Sequence, residues 1–496
     1  MYDQINADTL TKPGQFALSD IQLISYVSSA GANEPKKVSV RSSTIEINIY
    51  EDIFSKGLSG NIVVVDGQNI ANHLPLTGFE RIEFKLNTPG IGKGFDFTAI
   101  TGHPMYIYKI TGRSELTPRT QIYVLHFASK EVITNEQRKV TRSFTGTIDQ
   151  IVLDVFRNEL ESKKTIIVEE TKGARKYAPT GNRPYEFIDS VSKEAESGRF
   201  KNSGMFFYED STGFRFRSLE NMLAITDGAA RPVVARFEKK PRSVKGGTGM
   251  TNVVQEMQTV DGFLIQNQFD TIKNLRNGVY ASRTIAHDLF NKTYTKIDYD
   301  YNTEFGNIYH TEHDGDGGKT DNKSIAPLIN YNGKQFSDFP NGTLYLQSTT
   351  TNIHNDYEDA PKGTNMAKRL SQRLAFAAMQ VSVDARGFTG LSCGDVVALE
   401  IPSYEPVGAD NPLDNDPYMS GRYLVKSIRH KIDTAKDMHS MAISCIKDAV
   451  RVPYPEESVD TFTGRENADA TNILQYELDD TLITEATDES NNGILS

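Results

Sequence analysis

Four groups of residues in this chain have the types and spacing to do chemistry. "HTEHDGDGG" gathers His310, His313, Asp314 and Asp316, the side chains that divalent metals take. A calcium loop starting at Asp314 needs glycine at its sixth position and an acid at its twelfth. Those positions hold Lys319 and Ile325, so the calcium template fails and the stretch reads as a solvated loop with a weak metal candidate in it. "RGFTGLSCGDVV" carries Gly387, Gly390 and Gly394. A phosphate loop needs Lys and then Ser or Thr after its last glycine. Asp395 and Val396 stand there instead, and an anionic Asp repels phosphate, so these glycines read as sharp turns between strands. Cys393 with His430 or His439 has the composition of a nucleophile and base, without a local signature for either role. Glu51, Asp52 and Glu80 complete the set as carboxylates for glycosidase-type work. Glu51 and Asp52 are adjacent, however, and neighbours in a strand point to opposite faces, so they do not flank one bond. They read as interface or turn residues. No catalytic residue, cofactor or metal is therefore assigned, and the chain is expected not to be an enzyme.

The bulk composition narrows the classes further. A chain of 496 residues is long enough for roughly three or four domains. Its two cysteines, Cys393 and Cys445, exclude a disulfide framework and lie in apolar strand-like runs, as buried free thiols do. That suits folding in a reducing compartment. The opening "MYDQINADTLTKPGQ" lacks the apolar stretch of a signal peptide. No apolar run reaches the ~18 residues of a membrane helix, so membrane insertion is not expected. Residues 451–496 hold 11 acids and 2 bases, whereas the preceding 450 hold 54 and 52. A nearly neutral body lacks the broad basic face of a nucleic-acid binder, and the acidic end reads as a solvated extension. Leu474, Tyr476 and Leu478 within it exceed what solvation needs and are interface candidates.

The elements that must position these groups follow from periodicity. "TIEINIYEDIF" alternates Ile45, Ile47 and Ile49 with Glu46 and Asn48, and "RIEFKL" alternates Ile82, Phe84 and Leu86. A period of two marks a half-buried strand. Gly57, Gly60, Gly67, Gly78 and Gly90 fall between such runs, where turns belong. Residues 128–203 change period: Ile148, Ile151, Val152, Val155, Phe156 and Leu160 have helical spacing behind a Thr147/Gln150 capping box. A second helix is predicted from an Asn182 cap and Pro184 to a stop at Gly198, with Phe187, Ile188, Val191 and Ala195 on its apolar face. "GMFFYEDSTGFRFRSLENML" reads as a hairpin turning at "EDSTG". Strands return after about residue 240, and "GTNMAKRLSQRLAFAAMQ" is a helix with Met366, Leu370, Leu374 and Ala377 on one side.

Three blocks of this pattern resemble baseplate hub proteins of contractile-tailed bacteriophages. "IYEDIFSKGLSGNIVVVDGQNIANHLPLTGFERIEFKL" is similar to that family's first domain. "NRPYEFIDSVSKEAES" with "MFFYEDSTGFRFRSLENML" looks like its middle α/β module. "VSVDARGFTGLSCGDVVALEIP", "SGRYLVKSIRHKID" and "MHSMAISCIKD" look like its second barrel. The resemblance covers roughly residues 18–450; the insertion and the acidic extension have no counterpart in it.

The resemblance implies a β-rich α+β chain in which two tail-tube-like β-barrel domains flank a small α/β module. The expected organisation is an arm at 1–17, a first barrel at 18–127 completed by 204–240, and the module at 128–203. A second barrel at 241–450 follows, with a loop-rich insertion about 303–360, and then the acidic extension 451–496. It also implies a homotrimeric ring that joins the central spike to the hexameric tail tube. Its expected partners are the spike protein, tube or tube-initiator proteins, the tape-measure protein and inner wedge proteins. DNA passes only as cargo through the channel. The site of action would be the tail baseplate of the virion, assembled in the host cytoplasm. A hub of a phage-derived contractile injection system and a tail-associated cell-wall hydrolase are the alternatives. A receptor-binding tail protein would show repeats, and none is visible.

Overall fold

Strand Gly421–Asp433 organises the molecule. It pairs antiparallel with Val396–Glu400 near its start, with Thr44–Asp52 over Ser427 to Asp433, and with Met438–Lys447 along most of its length. One strand thus carries hydrogen bonds to both ends of the sequence. The computed structural model describes residues 10–451 except 26–34, 75, 92, 102, 201–202, 227–228, 240–252, 289–290, 313–322, 325–333, 350–361, 377 and 404–414. The described residues form one compact unit.

The chain is β-rich, and among the described residues the largest sheet has 14 strands. From the 421–433 strand it runs one way through 396–400, 233–239 and 259–260, and the other way through 44–52, 59–66, 120–129, 105–117, 81–83, 22–25 and 36–39. Strands 438–447, 379–386 and 263–267 branch from the same central strand. Two apolar cores lie along it. One gathers Phe237, Val381, Val397, Leu399, Tyr423 and Ile443; the other gathers Leu23, Ile47, Ile49, Ile62, Phe84 and Phe127. Ile428 belongs to the former and Ile432 to the latter, so the two cores share a strand. Each such side chain, fully buried, contributes about 1.5–3 kcal/mol.

A third core lies between residues 140 and 216. Helix Ile148–Asp154 continues through one wider helical turn, Val155–Glu159, and buries all six of the periodic apolar residues. Helix Pro184–Ser192 starts at Pro184 as expected, but its first turn is closed by the Glu186 carboxylate, which accepts from Arg183 N at 3.0 Å. The cap is therefore Arg183 rather than Asn182, and the helix stops at Ser192, before Gly198.

Several expectations are corrected. Residues 204–240 do not complete the first β region. Hairpin Met205–Asp210/Gly213–Ser218 pairs with Ile166–Val168 in a sheet of its own, and Val233–Lys239 pairs with Val396–Glu400, placing Phe237 in the other core. Ile45 points outward because the register of strand 44–52 against 59–66 shifts between Thr44 and Glu46, which turns Thr44 inward instead. The buried stripe of helix Lys362–Ala375 is Ala367, Ser371 and Ala375 rather than Met366, Leu370 and Leu374; Ala377 lies outside the described residues. Small residues let the helix approach closely enough for Ser371 Oγ to donate to Val279 O at 2.6 Å. The insertion is not all loop. Leu344–Thr349 pairs parallel with Ala281–Asp288, which also pairs with Thr293–Asp300. The arm, where described, is anchored: Leu10 is buried in the core with Phe237 and Val381, and His439 N donates to Gly14 O at 2.9 Å.

Candidate functional site

Glu51 ends the inward face that begins with Ile47 and Ile49, and only 1% of it is exposed. Its Oε1 accepts from Ser211 N and its Oε2 from Cys393 N, both at 2.9 Å. The carboxylate therefore fastens strand 44–52 to the tip of the 205–218 hairpin and to the 387–395 connection. Ser211 Oγ lies 3.0 Å from Ser392 Oγ, and Lys93 Nζ donates to Ser392 Oγ at 2.8 Å. Asp210 beside it is tied to Arg215 at 2.7 Å, and Asp395 accepts from Ser392 N at 2.9 Å. Burial, with the Asp210 charge next, pushes the Glu51 carboxyl up to about 8, against the pull of Lys93. As an interface candidate Glu51 is thus corrected: it joins segments inside the chain. Asp52, on the opposite face, accepts from Phe54 N at 2.8 Å and fixes a turn.

A second junction lies on the hairpin's other side. Lys164 Nζ, 1% exposed, sits 2.9 Å from Glu131 Oε2 and 2.5 Å from Glu209 Oε1. Glu209 Oε2 accepts from Leu58 N at 2.8 Å, and Ser162 Oγ donates to Glu131 Oε1 at 2.6 Å. Burial raises the Glu209 carboxyl, while on Glu131 the charge of Lys164 and the Ser162 hydroxyl outweigh burial and hold the carboxyl low. Gly57 beside it has no room for a Cβ between Val132 and Ser129.

The remaining sequence candidates separate. His310 is buried, with Nδ1 2.8 Å from Asp448 Oδ2 and Nε2 2.9 Å from Phe305 O. Both ring nitrogens are already engaged, which leaves neither for a metal. His313, Asp314 and Asp316 lie outside the described residues, as do Leu474, Tyr476 and Leu478. Among the described residues, no group of three or more His, Cys, Asp and Glu is placed to hold a metal ion. Nor is any helix there long and apolar enough to cross a membrane.

His430 and His439 pair with each other, Nδ1 to Nε2, at 3.1 Å, under the Phe95 ring. Cys393 instead shares the Glu51 junction, and burial raises its thiol well above the ordinary range, which removes the thiolate a nucleophile needs. Glu80 caps its own turn, accepting from Thr77 N at 2.6 Å and Gly78 N at 2.9 Å.

Of the turn glycines, Gly78, Gly90 and Gly394 have positive φ, at 100°, 79° and 79°. Gly390 lies in the loop as expected. Gly387 follows strand 379–386, and a Cβ there would strike the His439 ring. Gly60 lies inside strand Ser59–Asp66, not in a turn; a Cβ there would enter the Phe127 ring, so its role is close packing.

Sequence reasoning missed the Glu131–Lys164–Glu209 triad. Its members are 33 and 45 residues apart, a separation that leaves no local signature. What the two junctions do chemically is hold: every oxygen of Glu51 and Glu209 is committed to a donor from another segment.

No family model and no curated protein matches this sequence. Its fold is similar to that of a solved tail protein. The crystal structure of the tail protein from Neisseria meningitidis MC58 superposes with a TM-score of 0.51 at 10% identity, covering 88% of this chain and 97% of that one. Weaker likenesses are the 43 kDa tail protein of prophage MuSo2 from Shewanella oneidensis and the prophage tail protein gp18 from Listeria monocytogenes EGD-e. The first has a TM-score of 0.47 at 10% identity, covering 88% and 99% of the two chains. The second has a TM-score of 0.42 at 11% identity, covering 90% and 98%.

Proposed function

We propose that this chain is a structural protein of a phage tail and serves as the hub of its baseplate. Three copies form a ring that joins the central spike to the hexameric tail tube and surrounds the channel for DNA and the tape-measure protein. The two β regions on either side of strand 421–433 act as the two tube-like barrels. The ring works in the virion, after assembly in the host cytoplasm, beside tube or tube-initiator and inner wedge proteins. The observation that carries this reading is the tail-protein fold over 88% of the chain. The buried carboxylates support it, since they bind segments together and present no free nucleophile and base. In this reading the chain is not an enzyme.

Light scattering tests it. The purified chain, alone or after addition of the spike protein encoded with it, is expected to reach a mass near three times 55.3 kDa per hub component. A monomer that stays monomeric with spike present would overturn the hub reading.

A further inference from the structure

Where the first β region, the α/β module and helix Lys362–Ala375 converge, the surface opens into a cleft of 160 Å³. Its floor is apolar, with Phe54 and Phe206 edge to face at 5.6 Å between ring centroids. Its walls are cationic: Lys56, Lys193, Arg369 and Arg373 line it, against one carboxylate, Asp189. That carboxylate is already paired with Lys56 at 3.0 Å.

Arg369 and Arg373 stand one helical turn apart on the same side of helix 362–375. Like charges at that spacing repel. Neither is in an ion pair among the described residues, and Arg369 is half-buried. Arg373 instead lies over the exposed Phe54 ring at 5.1 Å, with Lys426 near the same ring at 5.8 Å. Burial and then the charge of Arg373 pull the Arg369 guanidinium below its ordinary range, against the opposing charge of Asp189. The cluster thus carries a repulsion that a ligand with negative charges would relieve.

Size and charge together select the ligand. Sites for drug-sized molecules run to about 300–1,000 Å³, and this cleft is smaller. It is large enough for one apolar side chain, with cations placed to meet acids on either side of it. We propose that the cleft docks an acidic peptide segment of a partner protein. Carboxylates of that segment pair with Arg369, Arg373 and Lys193, and one of its leucine or tyrosine side chains covers Phe54. The inference stands apart from the hub reading, because the site lies within one chain and needs no ring.

The test uses the full chain and a fluorescein-labelled decapeptide in which Glu and Asp alternate with Leu and Tyr, read by anisotropy. The wild type is expected to bind it and to lose affinity as salt rises, because exposed charge pairs are screened. The same peptide with Gln and Asn in place of the acids is expected not to bind. R369Q/R373Q should weaken binding by about tenfold or more, as loss of charge-assisted pairs does. The exposed Lys193→Gln should weaken it by roughly threefold. It serves as the measurement should the double variant fail to fold, which its melting curve would reveal. No binding of the acidic peptide, equal binding of the neutral one, or undiminished binding by the folded variants would overturn the proposal. So would displacement of the peptide by inorganic phosphate at low concentration, which would make the cleft a free-anion site.

Discussion

The two buried junctions of the 205–218 hairpin do the same mechanical task by different physics. At Glu51 a lone carboxyl is held by two backbone N–H groups from two other segments. At Lys164 one ammonium is held between two carboxylates. The first relies on hydrogen bonds to a group that burial drives toward its neutral form; the second relies on opposite charges that favour the charged forms of Glu131 and Lys164, while burial still raises Glu209. Pairing in a low-dielectric interior sustains charge, and hydrogen bonding alone does not oppose burial fully.

The signs of their pH dependence differ accordingly. Glu51 ordinarily titrates near 4.5 and is raised to about 8 on folding, so the folded state holds the proton more tightly. Its contribution is complete below about pH 4.5 and is lost as pH rises through about 8. Glu131 is lowered, so its contribution is present above its ordinary 4.5 and is lost as pH falls through its folded value. Lys164 is raised above its ordinary 10.5, so its contribution is complete across the neutral range and is lost only as pH rises through its folded value.

The largest break in this comparison is Lys164→Met. Removing the cation leaves Glu131 and Glu209 buried and uncompensated, and urea unfolding should show a loss of about 3–5 kcal/mol. Adding E131Q and E209Q should restore part of that loss, since neutral partners no longer repel. Glu51→Gln comes next. Its amide oxygen satisfies one backbone N–H, and its NH₂ faces the other, so the loss should be about 1–3 kcal/mol near neutral pH. Wild type is expected to lose stability between about pH 4.5 and 8, and that fall should flatten in this variant; an unchanged slope would remove Glu51 as its origin. Zymograms of wild type and E51Q should both be blank. The smallest effect is expected of Asp52→Asn, whose amide oxygen still accepts from Phe54 N; its free energy of unfolding should change by less than about 0.5 kcal/mol.

Local period made much of the fold legible. The helical spacing of Ile148 to Leu160 corresponds to one continuous helical run, and the alternation of Ile82, Phe84 and Leu86 to two short strands, Arg81–Glu83 and Lys85–Asn87, with those residues buried. What was not legible depends on partners distant in sequence. Glu51 continues the parity of Ile47 and Ile49, and that parity could have marked it as inward; nothing local shows that Ser211 and Cys393 would meet it. Gly60 reads as a turn until the Phe127 ring is placed across from it. In helix 362–375 the side-chain pattern favoured Met366, Leu370 and Leu374, but close approach to Val279 selects the small residues one position along. The same rotation leaves Arg369 and Arg373 at the cleft.

The central strand also has a consequence in time. Arg429 Nε donates to Asn48 Oδ1 across 381 residues of sequence. At about 5–20 residues per second, a ribosome needs roughly 20–75 s to deliver that partner after Asn48 has been made. Throughout that interval the 44–52 strand is an open edge with unpaired N–H and C=O groups, the arrangement that recruits foreign strands. Tyr50 and Glu46, which face outward from it, place bulk and charge along that edge while it waits. The strand that closes this edge comes hundreds of residues later, so the edge stays open until residues 427–433 have been made.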